Sequence, residues 1–146
     1  MTELKAVHQF TVFCSATPLE HAALAGLSMP QSYYEKLRAD YRERREHLAR
    51  LLDAAGFRYQ MPQGTYFVMA DYSSLSRMND FDFSLWMTEK IGVAVLPTSV
   101  FYTDPAAVAE RQKYVRFAFC KDLGMMREAA KRLEKSERSL WKSLKD

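Results

Sequence analysis

The sequence predicts an α+β domain, with a three- to four-stranded sheet, helices packed on one face of it, and one long helix attached. Three observations carry this prediction. Tyr114-Val115-Arg116-Phe117-Ala118-Phe119-Cys120-Lys121 alternates with the period of a half-buried strand: Val115, Phe117 and Phe119 share one face, and Arg116, Ala118 and Cys120 the other. Thr65 to Tyr72 alternates in the same way, with Tyr66, Val68 and Ala70 opposite Phe67 and Met69. The segment from Tyr33 to about Ala55 instead spaces its apolar residues three and four apart, the mark of a helix.

Taken in order, residues 1–16 alternate loosely and predict a short strand or an extended arm. Thr17-Pro18-Leu19-Glu20 has the chemistry of a helix start. Thr17 is placed to cap, Pro18 suits the first helical position, and Glu20 closes a capping box. That helix is expected to run to about Leu27, with Ala22, Ala23 and Ala25 allowing close packing. Pro30 interrupts the chain, and Ser32-Tyr33-Tyr34-Glu35 forms a second capping box. Behind it lies the long helix, with Tyr34, Leu37, Tyr41, Leu48, Leu51, Leu52 and Ala55 on one stripe, a polar gap at Arg44 and Arg45, and Gly56 as its stop. At ~23 residues it would span ~35 Å, the length of a helix that bridges domains.

Phe57 to Gln60 reads as a strand, Met61-Pro62-Gln63-Gly64 as a turn, and Thr65 to Tyr72 as the second strand. Asp80 is expected to cap a helix that runs to about Ile91 and ends at Gly92. Val93 to Leu96 is a third strand closed by Pro97. Thr98 to Gln112 reads as a long loop, followed by the arginine strand. Asp122 caps a last helix carrying Leu123, Met126, Ala129, Ala130 and Leu133 on one side. The tail from Lys135 to Asp146 is charged, although Leu140, Trp141 and Leu144 allow the helix to continue.

The composition narrows the function. A chain of 146 residues suits one domain, or a small domain with an appendage, and 48% hydrophobic residues suffice for a core. A net charge of +3 from 21 basic and 18 acidic residues is too balanced to imply nucleic acid. MTELKAVHQF lacks a signal peptide's apolar run, and no stretch approaches the ~20 apolar residues of a membrane span. Two unpatterned cysteines, Cys14 and Cys120, fit a reducing, cytoplasmic setting, with Cys120 expected to be a buried, inert thiol. His8, His21 and His47 lie far apart without metal-ligand spacing. There is neither a glycine-rich phosphate loop nor a G-x-S-x-G elbow.

Arg116 is the candidate that remains. A guanidinium inside an apolar strand is costly to bury alone, and its planar fork matches a carboxylate with two parallel hydrogen bonds. An edge-strand arginine reaching solvent, or one paired with a local carboxylate, would look the same in sequence. Gln63-Gly64-Thr65-Tyr66-Phe67 is equally consistent with turn chemistry and core packing. The run Val93 to Phe101 is consistent with a plain strand exit or with hydroxyls beside a ligand.

Four motifs, in order, raise the specificity. VHQF-x2-F-x3-TP, P-x-GTYF-x3-D, GVAVLP-x-SVFY and YVRFAFCKD resemble the C-terminal part of class I/II aminotransferases. These are fold-type I enzymes that use pyridoxal 5′-phosphate (PLP), and the resemblance is nearest to the methionine aminotransferase and kynurenine–glutamine transaminase branch. It covers about Leu4 to Leu133. It implies that residues 1–31 are a remnant of a large PLP domain, 32–56 a linking helix, 57–135 the small C-terminal domain and 136–146 a charged tail. It assigns Arg116 to the substrate α-carboxylate, and Phe13, Cys14, Tyr66, Ser99 and Phe101 to the pocket wall.

The resemblance also implies a partner set of amino acid and 2-oxo acid within a homo-oligomer, with no nucleic acid and no membrane. The family's PLP-binding lysine would lie upstream of the segment matching Thr2-Glu3-Leu4. Lys5, Lys90, Lys113 and Lys121 have no matching context, and Glu20 stands where relatives often carry glutamine. The expectation is therefore a substrate-clamping domain that holds no PLP and has no catalytic residue of its own. The alternative is a non-catalytic interaction or dimerisation module, or a truncated gene product.

Overall fold

The structure is a computed structural model that describes residues 1–136. The chain divides into two compact units, Met1–Arg38 and the part from Ala39 onward.

In the first unit, Thr2–Thr11 is a helix, α1, and not the strand or extended arm expected. The helix formers Glu3 to Ala6 outweigh the β-branched Val7 and Thr11, and Thr11 satisfies its hydroxyl by donating to the Val7 carbonyl at 3.1 Å. α2 spans Thr17–Leu27 with Pro18 in its first turn, as expected. Its cap position is occupied by Ala16, however, and no side chain caps it, so the capping box at Thr17 and Glu20 does not form. No residue of α1 or α2 is buried within this structure. α3, Gln31–Ala55, begins directly after Pro30, which puts Ser32 inside its first turn. The Tyr34 hydroxyl donates to the Gly26 carbonyl at 2.7 Å. α3 stops at Gly56, whose φ of 82° lies in the left-handed region that glycine enters without a Cβ clash.

The second unit is built on a four-stranded antiparallel sheet in the order β1-β2-β4-β3, where β1 is Arg58–Tyr59, β2 Phe67–Asp71, β3 Leu96–Pro97 and β4 Tyr114–Ala118. The edge strands are two residues each: β1 falls within the expected Phe57 to Gln60, whereas β3 keeps only Leu96 of the expected Val93 to Leu96 and takes in Pro97, expected to close it, which pairs with Val115. One face of the sheet is dry. Val68, Ala70, Val115 and Phe117 are buried against Leu48 and Leu52 of α3, Phe83 of α4 (Asp80–Trp86), and Met126 and Leu133 of α6 (Leu123–Lys135). The rings of Tyr72 and Phe83 stack at 3.9 Å within this core. Arg45, in the polar gap of the α3 stripe, donates to the Pro62 carbonyl at 2.9 Å and so ties the helix to the β1–β2 turn.

Several local readings are corrected. Asn79, not Asp80, caps α4, its side chain accepting from the Asp82 amide at 2.8 Å. Asp80 is the first helical residue and is buried. α4 continues as a π-helical turn, Met87–Ile91, which Gly92 ends at φ 75°. The expected loop from Thr98 to Gln112 contains a 3₁₀ turn, Ser99–Phe101, and a helix, α5, Pro105–Arg111. Asp104 caps α5 through the Ala107 amide and Pro105 opens it, a start signal hidden by the brevity of the helix. Asp122 caps α6 as expected, accepting from the Met125 amide at 2.9 Å. Cys120, one residue beyond the paired part of its strand, is exposed and not buried. The extension of α6 through Leu140, Trp141 and Leu144 lies outside the described residues.

Candidate functional site

The outer face of the sheet carries the site. β4 lies between β2 and β3, so Arg116 is on an interior strand, paired with Met69 on one side and Leu96 on the other. Directly opposed residues of antiparallel strands share a face, and Met69, Arg116 and Leu96 therefore form one row across three strands. The alternation of β4 does the positioning, because burial of Val115 and Phe117 on the inner face forces Arg116 outward.

Three rings surround the guanidinium. Its carbon lies 4.4 Å from the centre of the Phe67 ring, 5.5 Å from that of Phe101 and 5.7 Å from that of Tyr66. Aromatic faces attract a cation through their quadrupole without neutralising it. Among the described residues no carboxylate forms an ion pair with Arg116. Its Nε is buried with no hydrogen-bond partner. The arrangement is a cation held between rings with its donor fork uncommitted, which is the chemistry for receiving a small carboxylate.

Tyr66 and Phe67 both reach Arg116, although simple alternation puts them on opposite faces. The cause is Thr65, a non-glycine residue at φ 65°. This strained conformation turns the chain just ahead of β2 and leaves Tyr66 outside the strand, exposed, and not on the face of Val68 and Ala70. The Tyr66 carbonyl still accepts from the Phe119 amide at 2.8 Å, which fixes the turn against the end of β4.

Of the residues expected in the pocket wall, Tyr66 and Phe101 are brought to Arg116. Ser99 is buried and turned away, donating to the Asp80 carboxylate. Phe13 and Cys14 belong to the first unit, after α1, and both are exposed. Sequence reasoning missed Phe67, assigned there only to strand packing. It also missed Asp80, whose capping chemistry masked its bond to a residue 19 positions away.

The groups around Arg116 are rings and aliphatic side chains. None is an amine able to form a Schiff base, and Lys113 donates to the Ala109 carbonyl at 3.3 Å. The groups around Arg116 have the chemistry to receive a carboxylate and offer PLP no amine for covalent attachment there. Among the described residues no cluster of His, Cys, Asp or Glu could hold a metal ion, and no helix is long and apolar enough to cross a membrane.

The fold and this face define a small antiparallel-sheet domain whose outer face holds a guanidinium among aromatic rings. Residues 2–133 match the family described as aminotransferase class I and II, and the chain belongs to that family. It is similar to the methionine aminotransferase of Escherichia coli, at 34% identity over 131 residues, covering 90% of this chain and 33% of that protein. It is similar also to a kynurenine–oxoglutarate transaminase of Dictyostelium discoideum, at 32% identity, covering 79% of this chain and 30% of that one. Among solved structures, the Escherichia coli enzyme superposes with a TM-score of 0.75 over 92% of this chain and 34% of that chain at 34% identity. The N-succinyldiaminopimelate aminotransferase of Mycobacterium tuberculosis superposes equally well, at 0.75 and 35% identity, over 86% of this chain and 32% of that one. The chain thus spans about a third of the length of the curated relatives it matches.

Proposed function

We infer that this chain supplies the carboxylate clamp of a PLP-dependent aminotransferase, with Arg116 gripping the α-carboxylate shared by amino acid and 2-oxo acid substrates. The observation that carries the reading is the guanidinium on the outer face, ringed by Phe67, Phe101 and Tyr66 and paired with no carboxylate among the described residues. A two-point grip fixes the orientation of the bonds at the substrate's α-carbon and so contributes to rate by lowering the entropy to be lost. The names of the relatives favour methionine-like or aromatic substrates, and the exposed rings of Tyr66 and Phe101 beside Arg116 suit such side chains. PLP, when bound to a complete enzyme of this family, supplies the electron sink for the exchange.

In this reading residues 1–31 belong to a large PLP domain, 32–56 link it to the small domain of 57–135, and the complete protein is a cytoplasmic homo-oligomer. The 146-residue chain then neither binds PLP nor transaminates. Incubation with PLP followed by borohydride is expected to leave no lysine selectively modified; stoichiometric labelling of a single lysine would overturn this. The clamp is tested by following the Arg116 Nε–H resonance during titration with L-methionine and, separately, with the amine that lacks its carboxylate. A shift with methionine alone supports the reading, and equal responses, or none, refute it.

A second reading, a module that works by association, is favoured by one observation: no residue of α1 or α2 is buried, and Leu4, Val7, Phe10, Leu24 and Leu27 are exposed. Sedimentation that shows a monomer at every concentration tried rules it out.

A further inference from the structure

Asp80 is the one charged side chain that is buried among the described residues, at 1% exposure. No cation there forms an ion pair with it. Both carboxylate oxygens instead accept from one residue: the Ser99 amide donates to Oδ2 at 2.6 Å and the Ser99 hydroxyl to Oδ1 at 2.9 Å. Burying a carboxylate is costly, and charge-assisted bonds of this kind offset the cost only while their geometry holds. The acid therefore acts as a rigid bracket for Ser99. The preceding residue is anchored from another side, where the buried Thr98 hydroxyl donates to the Tyr114 carbonyl at 3.1 Å. Two successive residues of the turn are thus pinned, one to the first turn of α4 and the other to the start of β4.

Two residues further on is Phe101, with its ring centre 5.5 Å from the Arg116 guanidinium. Phe101 is 63% exposed. Burial does not hold such a ring in place; the backbone of the pinned turn does. Phe67, by contrast, is held by β2 itself, and Tyr66 by its bond to Phe119. Of the three rings, Phe101 depends on a side-chain latch.

We propose that Asp80 is a positioning residue for the Arg116 site: by bracketing Ser99 it holds Phe101 over the guanidinium and sets the aperture through which a carboxylate reaches it. The consequence for binding rests on the carboxylate reading of Arg116; the link from Asp80 to Phe101 does not. The two are separated by measuring the link without ligand. In the isotopically labelled 146-residue chain, nuclear Overhauser contacts between the Phe101 ring and the Arg116 side chain are expected, together with ring-current shifts at the Arg116 Nε–H. Asp80→Asn turns one of the two acceptor oxygens into a donor nitrogen and takes the charge from both bonds to Ser99, and is expected to weaken those contacts. Ser99→Ala, which keeps the backbone bond and spares the fold, is expected to weaken them.

L-methionine is expected to bind Asp80→Asn roughly twofold more weakly, the fold-change that matches the lower end of one exposed cation–π contact. Phe101→Ala is expected to show the same loss, and adding Asp80→Asn to it to cost nothing more, because both act through one ring. Contacts that persist undiminished in both Asp80→Asn and Ser99→Ala overturn the proposal. So does an Asp80→Asn effect of equal size in the Phe101→Ala background, since Asp80 would then act on the fold at large. Should Asp80→Asn fail to fold, Ser99→Ala decides alone. Should Arg116→Met bind methionine like the unaltered chain, the carboxylate reading fails while the contacts still judge the latch.

Discussion

Replacing Arg116 with methionine is expected to strengthen the fold while abolishing the carboxylate response. The Nε–H of Arg116 is buried without an acceptor, and leaving such a group unmet costs about 1–3 kcal/mol. Against this stand the ring contacts. Phe67, at 4.4 Å, is well within range, whereas Phe101 and Tyr66, at 5.5 and 5.7 Å, lie near its limit. Together they return about 1 kcal/mol at a partly exposed site. Methionine keeps the aliphatic stem and offers a thioether to the same rings. The balance favours the variant by about 1 kcal/mol, which for a chain of this size raises the melting temperature by roughly 3–4 °C. Urea denaturation followed by circular dichroism measures the difference, provided the slope with denaturant is unchanged. A variant less stable than the parent by about 1 kcal/mol or more, judged against that expectation, would refute the reasoning. The guanidinium would then be a structural prop whose position owes nothing to a ligand.

Two further outcomes follow from the core. Tyr72 is fully buried, donates to the Met78 carbonyl at 3.1 Å, and has its phenol pKa pushed well above the ordinary value, first by burial and then by the carboxylates of Asp80, Asp71 and Asp82. The folded state therefore keeps a proton that the unfolded chain releases near pH 10. The stability this contributes is complete below that pH and falls above it by about 1.4 kcal/mol per pH unit. Tyr72→Phe is expected to flatten this part of the alkaline unfolding curve, and an unaltered slope would count against the assignment. Leu52 has no exposed surface and sits where α3 meets the sheet. Leu52→Ala is expected to lower the urea midpoint by the equivalent of about 2–5 kcal/mol, and a loss below about 1 kcal/mol would show that the α3 contact is not part of the cooperative core.

Much of the second unit was legible before any coordinates. The alternation in Tyr114–Ala118 placed Val115 and Phe117 inward and Arg116 outward, and the structure agrees, because a period of two leaves a strand with one buried face no other choice. The long helix and its glycine stop were equally plain, as was the cap at Asp122. What misled was local chemistry open to more than one use. Asp80 carries an N-cap side chain, yet Asn79 caps and Asp80 turns into the core to meet Ser99. Thr17 and Glu20 spell a capping box that does not form. The first eleven residues mix β-branched and helix-forming types, and the helix prevails.

The residue pattern by itself determined the layer of strands and helices, the side on which Arg116 would stand, and, through four ordered motifs, the family. It did so because strand periodicity and family motifs are written in near neighbours along the chain. Only the tertiary structure decided what Arg116 meets. Phe67, Phe101 and Tyr66 arrive from β2, from a 3₁₀ turn and from a strained residue at φ 65°. Their convergence depends on strand register and on a buried bond between residues 19 apart, and contacts across such separations leave no period to read.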